Sequence, residues 1–386
     1  MLRYLTSGES HGKSLVGILE GLPAGLKVDV DKINNQLYRR QQGYGRGGRM
    51  KIESDTVIFI SGIRFGITTG APIAVEVENK DWINWQKRMN PEPIPDEAKP
   101  SDITIPRPGH ADLAGAVKYG HSDMRNIIDR ASARETAVRT ALGSITRQFL
   151  EEFGIQIGSH VLEIHQARST VEFNVEDTLN ESKRADGSPV RCLDKMAEKS
   201  MIKAIDLARE NGDTVGGRIE IIASGVPVGI GSHTHWDRKL DGLIAGAMMS
   251  IPAIKAVEIG LGIECGRKFG SEVHDPIVND KSGKFVTRTS NNAGGTEGGI
   301  TNGQSLRVTI TMKPISTLLS ALDSVDMKNK EPVKARVERS DICAVPAAAI
   351  VGETVLALVL AQAFLEKFSG DHIDDVRTAY DRRRML

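Results

Sequence analysis

Between about Ser122 and Phe153, Ile127, Ile128, Ala131, Val138, Ala141, Leu142, Ile145, Phe149 and Leu150 recur at intervals of three and four. That spacing predicts a long, largely buried helix, which needs other elements packed around it. A second apolar pattern starts near Pro346, a residue suited to a first helical turn, and runs through Val355, Leu358, Leu360 and Phe364 to about Phe368. Its alanine-rich flank allows close helix packing. Strict alternation in Ile73, Val75 and Val77, in Ile219 and Ile221, and in Leu306, Val308 and Ile310 predicts half-buried strands. A shorter helix is predicted from Asp31 to Gln41, with Ile33 and Leu37 four apart and Asp29 as its cap. Segments 91–108 and 273–284, rich in Pro, Asp and Lys, read as surface loops. Helix and strand signals intermix along all 386 residues with no disordered linker, which predicts one α+β domain over 1–386.

Charge and cysteine usage exclude several classes of function. The 50 basic and 50 acidic side chains cancel, so no global field draws the chain to nucleic acid or anionic lipid, and anion recognition must be local. Aromatic residues are only 4%, too few to supply base-stacking platforms, whereas glycine is abundant at 39. Cys192, Cys265 and Cys343 are widely spaced and form no CxxC pair, which argues against a disulfide framework or structural zinc and predicts a reduced, cytoplasmic setting. The N-terminus MLRYLTSGESHG has no leader-like pattern, and no apolar run reads as a membrane span.

Six segments combine small residues with side chains that are costly to bury. Ser7-Gly8-Glu9-Ser10-His11-Gly12 follows a predicted strand and holds a histidine between small neighbours, fit for proton transfer near neutrality. Arg39 to Met50 reads RRQQGYGRGGRM, four arginines among four glycines, and predicts an anion site; it lacks the order of a P-loop. Arg107-Pro108-Gly109-His110-Ala111-Asp112 sets a cation, an imidazole and a carboxylate on one turn. Arg130-Ala131-Ser132-Ala133-Arg134-Glu135 falls inside the long helical pattern, so Arg130 and Arg134 are expected to share a face. Asn291 to Gly303 is too glycine-rich for regular structure and reads as a ligand-wrapping loop. Met312-Lys313-Pro314-Ile315-Ser316-Thr317 and Glu338-Arg339-Ser340-Asp341 supply a second cationic group and a further carboxylate. His233 and His235 lack a third ligand at a recognised spacing, so no metal site is predicted.

Taken in order, GESHG, RRQQGYGRGGRM, RPGHAD, RASARET, GGTEGGITNG, MKPIST and VERSD closely resemble the chorismate synthase family over essentially the full length. The resemblance implies a β-α-β sandwich, with helices packed between antiparallel sheets, and a homotetramer. It implies an anti-1,4-elimination of phosphate from 5-enolpyruvylshikimate 3-phosphate to give chorismate, using reduced FMN without net redox change. By resemblance Arg40, Arg46, Arg107 and Arg134 surround the substrate with Ser10 and Ser132, His11 acts as acid toward the departing phosphate, His110 faces the reduced flavin near N1, and Asp341 takes a proton on its N5 side. The FMN site maps onto Arg130, Ala131, Ser132, Ala253, Gly298, Lys313, Pro314, Ile315, Ser316, Thr317 and Arg339. Pro252 departs from the asparagine of many relatives and offers no amide hydrogen there. Some members reduce their own flavin with NADPH; no dinucleotide fingerprint is visible here, so an external reductant is expected, with NADPH at most an indirect source. An RNA-binding protein using the Arg/Gly cluster and a hydride-transferring flavin oxidoreductase are the rival readings.

Overall fold

A computed structural model describes residues 2–47, 54–280, 286–338 and 340–384. Two antiparallel sheets enclose a helical layer. The first sheet contains β1 (Arg3–Ser7), β2 (Ser14–Glu20), β3 (Ile58–Ser61) and β4 (Ile73–Glu78) in the order β1-β2-β4-β3. The second contains β5 (Gln156–Ile164), β6 (Ala167–Arg168), β7 (Gly217–Ser224), β8 (Ile254–Ile259) and β9 (Leu306–Met312) in the order β8-β9-β7-β5-β6. The helices are α1 (Val30–Gln41), α2 (Asp112–Tyr119), α3 (Arg125–Ile128), α4 (Thr136–Glu151), α5 (Thr178–Asp186), α6 (Lys195–Glu210), α7 (Leu240–Met249), α8 (Gly270–Val273), α9 (Val345–Lys367) and α10 (Ile373–Arg384).

Alternation sets the layers. In β4, Ile73, Val75 and Val77 point into the core while the residues between them do not, and Leu306, Val308 and Ile310 of β9 are fully buried. The inward face of the first sheet covers α4, and that of the second covers α9. These two helices pack against each other, giving the sheet-helix-sheet sandwich that the family resemblance implies. Their crossing is close: a Cβ added at Gly143 would lie 2.3 Å from the Thr354 carbonyl oxygen. Similarly, a Cβ at Gly352 would lie 2.6 Å from the Ile221 side chain, so glycine admits the sheet to α9.

α9 is the one described helix long and apolar enough to cross a membrane, but it is mostly buried inside the protein. Its buried acid, Glu353, accepts from Arg39, Arg147 and Ser159, with Arg191 3.4 Å away, whereas Glu366 lies near the exposed end of the helix. Burial opposes ionisation of this carboxyl, yet the arginines outweigh it and hold the group well below the usual range. Arg191, lowered to about 9 first by burial, stays cationic at neutral pH.

Helix α1 begins at its predicted cap: Asp29 accepts from the Asp31 and Lys32 amides. The long pattern from Ser122 to Phe153 is not one helix. It divides into α3, a 3-10 turn at Ala133–Glu135, and α4, because Ser132 is extended (ψ 142°) and caps the turn by accepting from the Arg134 amide. Segment 273–284 contains more than loop, since Ile277–Asn279 pairs with Val286–Arg288. In the glycine-rich stretch, Thr296–Glu297 pairs with Ile300–Thr301 across Gly298 and Gly299, both at positive φ, so this segment forms a tight hairpin where an irregular loop was expected.

Candidate active site

His11 lies in the connection between β1 and β2. Gly8, at φ 99°, begins the turn at a point where a Cβ would sit 2.4 Å from the Ser14 carbonyl oxygen. Asn79, just beyond β4, donates to the carbonyls of Glu9 and Gly12 and ties the turn down. The His11 Nδ1 is 2.5 Å from Asp129 Oδ1, to which the Ser10 hydroxyl donates at 2.6 Å. Burial would raise the Asp129 carboxyl, but His11, Ser10 and Arg125 together hold it below its ordinary value. Trp85 stacks on the imidazole with ring centroids 3.8 Å apart, and the Arg125 guanidinium lies 5.1 Å from the same indole.

The second histidine has a similar arrangement. Gly109, at φ 79°, turns the chain so that His110 Nδ1 comes 2.5 Å from Oδ1 of Asp112, the first residue of α2. Asp112 is completely buried and also accepts from the Arg107 amide, Nε and Nη2. Burial works against its charge, and His110 and Arg107 overcome that by a wide margin. Arg107 reaches on to the Thr317 hydroxyl at 3.1 Å, joining this turn to the Lys313–Thr317 segment.

The arginine cluster separates. Arg39, in the last turn of α1, faces the core and Glu353, whereas Arg40 faces Thr136, the Ala133 carbonyl and Asp55. Arg134 contacts both oxygens of Asp55 at 2.6 and 2.7 Å and also donates to Asn79. Thus Arg40 and Arg134 converge on one fully buried carboxylate, and Arg40, lowered to about 10 chiefly by burial, remains charged. Arg46 pairs with Asp341 at 2.7 Å, and the Gly47 amide donates to the same carboxylate. Arg130 is exposed and holds the carbonyls of Thr6 and Gly8; Arg134 is buried. The expected common face for Arg130 and Arg134 is therefore absent, since no helix connects them.

Lys313, Pro314, Ile315 and Ser316 line a cleft of about 250 Å³ with Pro108, Gly109, Asp213 and Thr214. The Lys313 ammonium donates to the Gly109 carbonyl, and its amide donates to the Ala253 carbonyl. Ala253 stands at φ 68°, a left-handed conformation that costs energy for a residue with a Cβ and is held here at the start of β8. Ser250 accepts from Arg139, which pairs with Glu135, which in turn accepts from Thr6; this chain connects the Ala253 region with Arg130. A lysine and hydroxyls lining one cleft suit a phosphorylated ligand, and Ala253 lies behind the cleft on the Lys313 amide. Gly298 is exposed in its hairpin beside His233, and Arg339 lies outside the described residues, as do Gly48, Arg49 and Met50 of the arginine cluster. The site thus joins His11, Ser10 and Arg134 in one group and His110, Arg107, Lys313 and Thr317 in another. Asp55, Asn79 and Trp85, which no motif marked, complete it.

The fold and this arrangement define a class of anion-handling enzyme built on a sheet-helix-sheet sandwich, and the comparisons with known proteins place it. The family model described as chorismate synthase matches residues 2–365. Chorismate synthase of Carboxydothermus hydrogenoformans is 54% identical over 381 residues, covering 98% of this chain and 97% of the relative. That of Geobacter sulfurreducens is 54% identical over 389 residues, covering 99% and 98%. A solved structure titled as a crystal structure of chorismate synthase superposes with a TM-score of 0.79 at 42% identity, covering 99% of this chain and 97% of that one. The chain belongs to the chorismate synthase family, a family of lyases of the shikimate pathway.

Proposed function

We propose that this chain, as one domain, converts 5-enolpyruvylshikimate 3-phosphate to chorismate and phosphate by anti-1,4-elimination with reduced FMN and no net redox change. The C3–O bond breaks with its electron pair leaving on phosphate, the C6–H bond breaks, and the ring gains a second conjugated double bond. The observation that carries this reading is the pair of His–Asp contacts beside buried arginines. Two proton-handling groups and several fixed cations are what a departing phosphate requires.

Reduced FMN, when bound, supplies transient electron donation to the substrate and recovers it. Lys313, Pro314, Ile315, Ser316 and Thr317, with Arg130, Ala131, Ser132, Ala253, Gly298 and Arg339, would hold it. Arg40, Arg46, Arg107 and Arg134, with Ser10 and Ser132, would grip the substrate's phosphate and carboxylates. Asp55 spreads its charge over Arg40 and Arg134, fixing their forks before substrate arrives. Because Asp129 engages Nδ1 of His11, proton donation to the leaving phosphate would come from Nε2. Asp112 engages Nδ1 of His110 in the same way, so that ring would present Nε2 to reduced FMN. Asp341, held by Arg46 and the Gly47 amide, would accept a proton there. The enzyme would work as a cytoplasmic homotetramer supplied with reductant from outside.

His11→Ala and His110→Ala are expected to lower kcat by about 10²-fold or more, the ordinary share of positioned acid–base groups, with substrate and flavin affinities within about threefold. Turnover near that of the parent protein in either variant removes that histidine from the mechanism.

A further inference from the structure

We propose that Glu338 is a positioning residue shared by both histidine–aspartate pairs, linking them through Arg125 and Arg107 into one continuous network. Glu338 Oε1 accepts from Arg125 Nη2 at 3.1 Å, and Oε2 faces Arg107 Nη1 at 3.7 Å. Beyond Arg125, Nη1 contacts Asp129 Oδ2 at 3.3 Å, and Asp129 holds His11. Beyond Arg107, Nε and Nη2 hold Asp112, which holds His110. Signs alternate along the whole path: carboxylate, guanidinium, carboxylate, guanidinium, carboxylate, with an imidazole at each end. The three central side chains are largely withdrawn from water, at 7% for Arg125, 8% for Arg107 and 19% for Glu338, so their interactions are weakly screened.

The electrostatic argument follows from this order. Each guanidinium is shared between the carboxylate that orients a histidine and the central Glu338. Neutralising Glu338 would leave two desolvated cations drawing on Asp129 and Asp112 alone, weakening what those carboxylates offer the rings and disfavouring both imidazolium forms. Other groups face the network as well: Arg336 lies 3.1 Å from Glu338 Oε1, Ser10 and Trp85 contact His11 or its partner, and Lys313 holds the Gly109 carbonyl beside His110. None of these spans both ends. Glu338 does, although it follows His11 and His110 by more than two hundred residues in the chain.

The inference rests on the reading of His11 and His110 as the reacting histidines only for its consequence in turnover, and the test separates the two. In full-length protein carrying isotope-labelled histidine, ring signals of His11 and His110 are assigned with H11Q and H110Q variants and followed by NMR through a pH titration. Glu338→Gln is expected to move both titration midpoints down together by about half a pH unit or more, a roughly threefold change in each protonation equilibrium. Glu338→Asp, which keeps the charge at shorter reach, is expected to fall between Gln and the parent. Two unchanged midpoints, or a shift confined to one histidine, overturn the proposal. In steady-state assays E338Q is expected to lower kcat at least tenfold with KM within about threefold. Shifted midpoints together with normal turnover in H11A and H110A support the network while sinking the catalytic reading of the histidines.

Discussion

Asp129 sits 118 residues along the chain from His11 and 2.5 Å from its ring, and it defines what the imidazole can do. One carboxylate oxygen meets both the Ser10 hydroxyl and His11 Nδ1; the other meets Arg125. Replacing it with Asn preserves shape but presents either an amide or a neutral oxygen to the ring, losing the charge that orients it. Asp129→Asn is therefore expected to lower kcat by about 10- to 100-fold while KM stays within about threefold, as measured by steady-state kinetics. A rise in KM at unchanged kcat would assign Asp129 to substrate binding instead. The two histidines were legible in the sequence because each stands among small residues on a turn. Asp55, which joins Arg40 to Arg134, was not legible, since a carboxylate that meets its partners only through the tertiary fold leaves no local spacing to find.

Among the elements, α4 shows where periodicity succeeds and where it misleads. Apolar spacing placed Val138, Ala141, Leu142, Ile145 and Phe149 in the core, and all are fully buried. The same spacing carried the helix through Ser132, where the chain turns. A local signal was present: Ser132 and Glu135 have the S-x-x-E spacing that marks a helix start, and Ser132 does cap there. Competing with it was the continued run of Ile127, Ile128 and Ala131, whose side chains pack in or beside a separate small cluster around Met124 and Ile103 or line the turn. The break has a structural consequence, because it frees Arg130 toward the β1 turn and drives Arg134 inward toward Asp55. The α4–α9 crossing depends on Gly143, whose missing Cβ leaves room for the Thr354 carbonyl. Gly143→Ala should destabilise the protein by about 1–3 kcal/mol in urea unfolding, since overpacking at a backbone contact outweighs alanine's better helix propensity. Equal or greater stability would mean that the two helices separate without cost.

For the whole molecule, two sheets around two helices explain why α9 can be almost uniformly apolar and still carry Glu353. The helix is enclosed up to its last turn, and its one buried charge is answered by arginines from α1, α4 and the segment after α5. The strands at 73–78, 217–224 and 306–312, helix α9 and the body of α4 could be read from the sequence, and the layered order came only with the family resemblance, because alternation reports a buried face without naming what covers it. Glu353, Asp112, Asp129 and Glu220 are all held below their ordinary values in the folded chain. A depressed carboxyl means that the unfolded chain binds more protons, so this stabilisation is complete above the unfolded carboxyl range, near pH 4, and is lost as pH falls toward the folded values. The urea midpoint is accordingly expected to drop steadily between about pH 5 and pH 3. A midpoint that held constant or rose over that interval would show these carboxylates to be unpaired in solution.

In the function proposed above, elimination proceeds without net redox change on a chain that depends on outside reductant. Its most direct measurement is an anaerobic assay of the purified protein with chemically reduced FMN and 5-enolpyruvylshikimate 3-phosphate, following chorismate, phosphate and flavin oxidation state together, with a parallel aerobic reaction given only FMN and NADPH. The expected result is equal amounts of chorismate and phosphate over many turnovers with the flavin still reduced at the end, and no turnover in the aerobic reaction. Flavin oxidised in step with product would contradict the elimination, and robust aerobic turnover with NADPH would contradict the dependence on an external reductant.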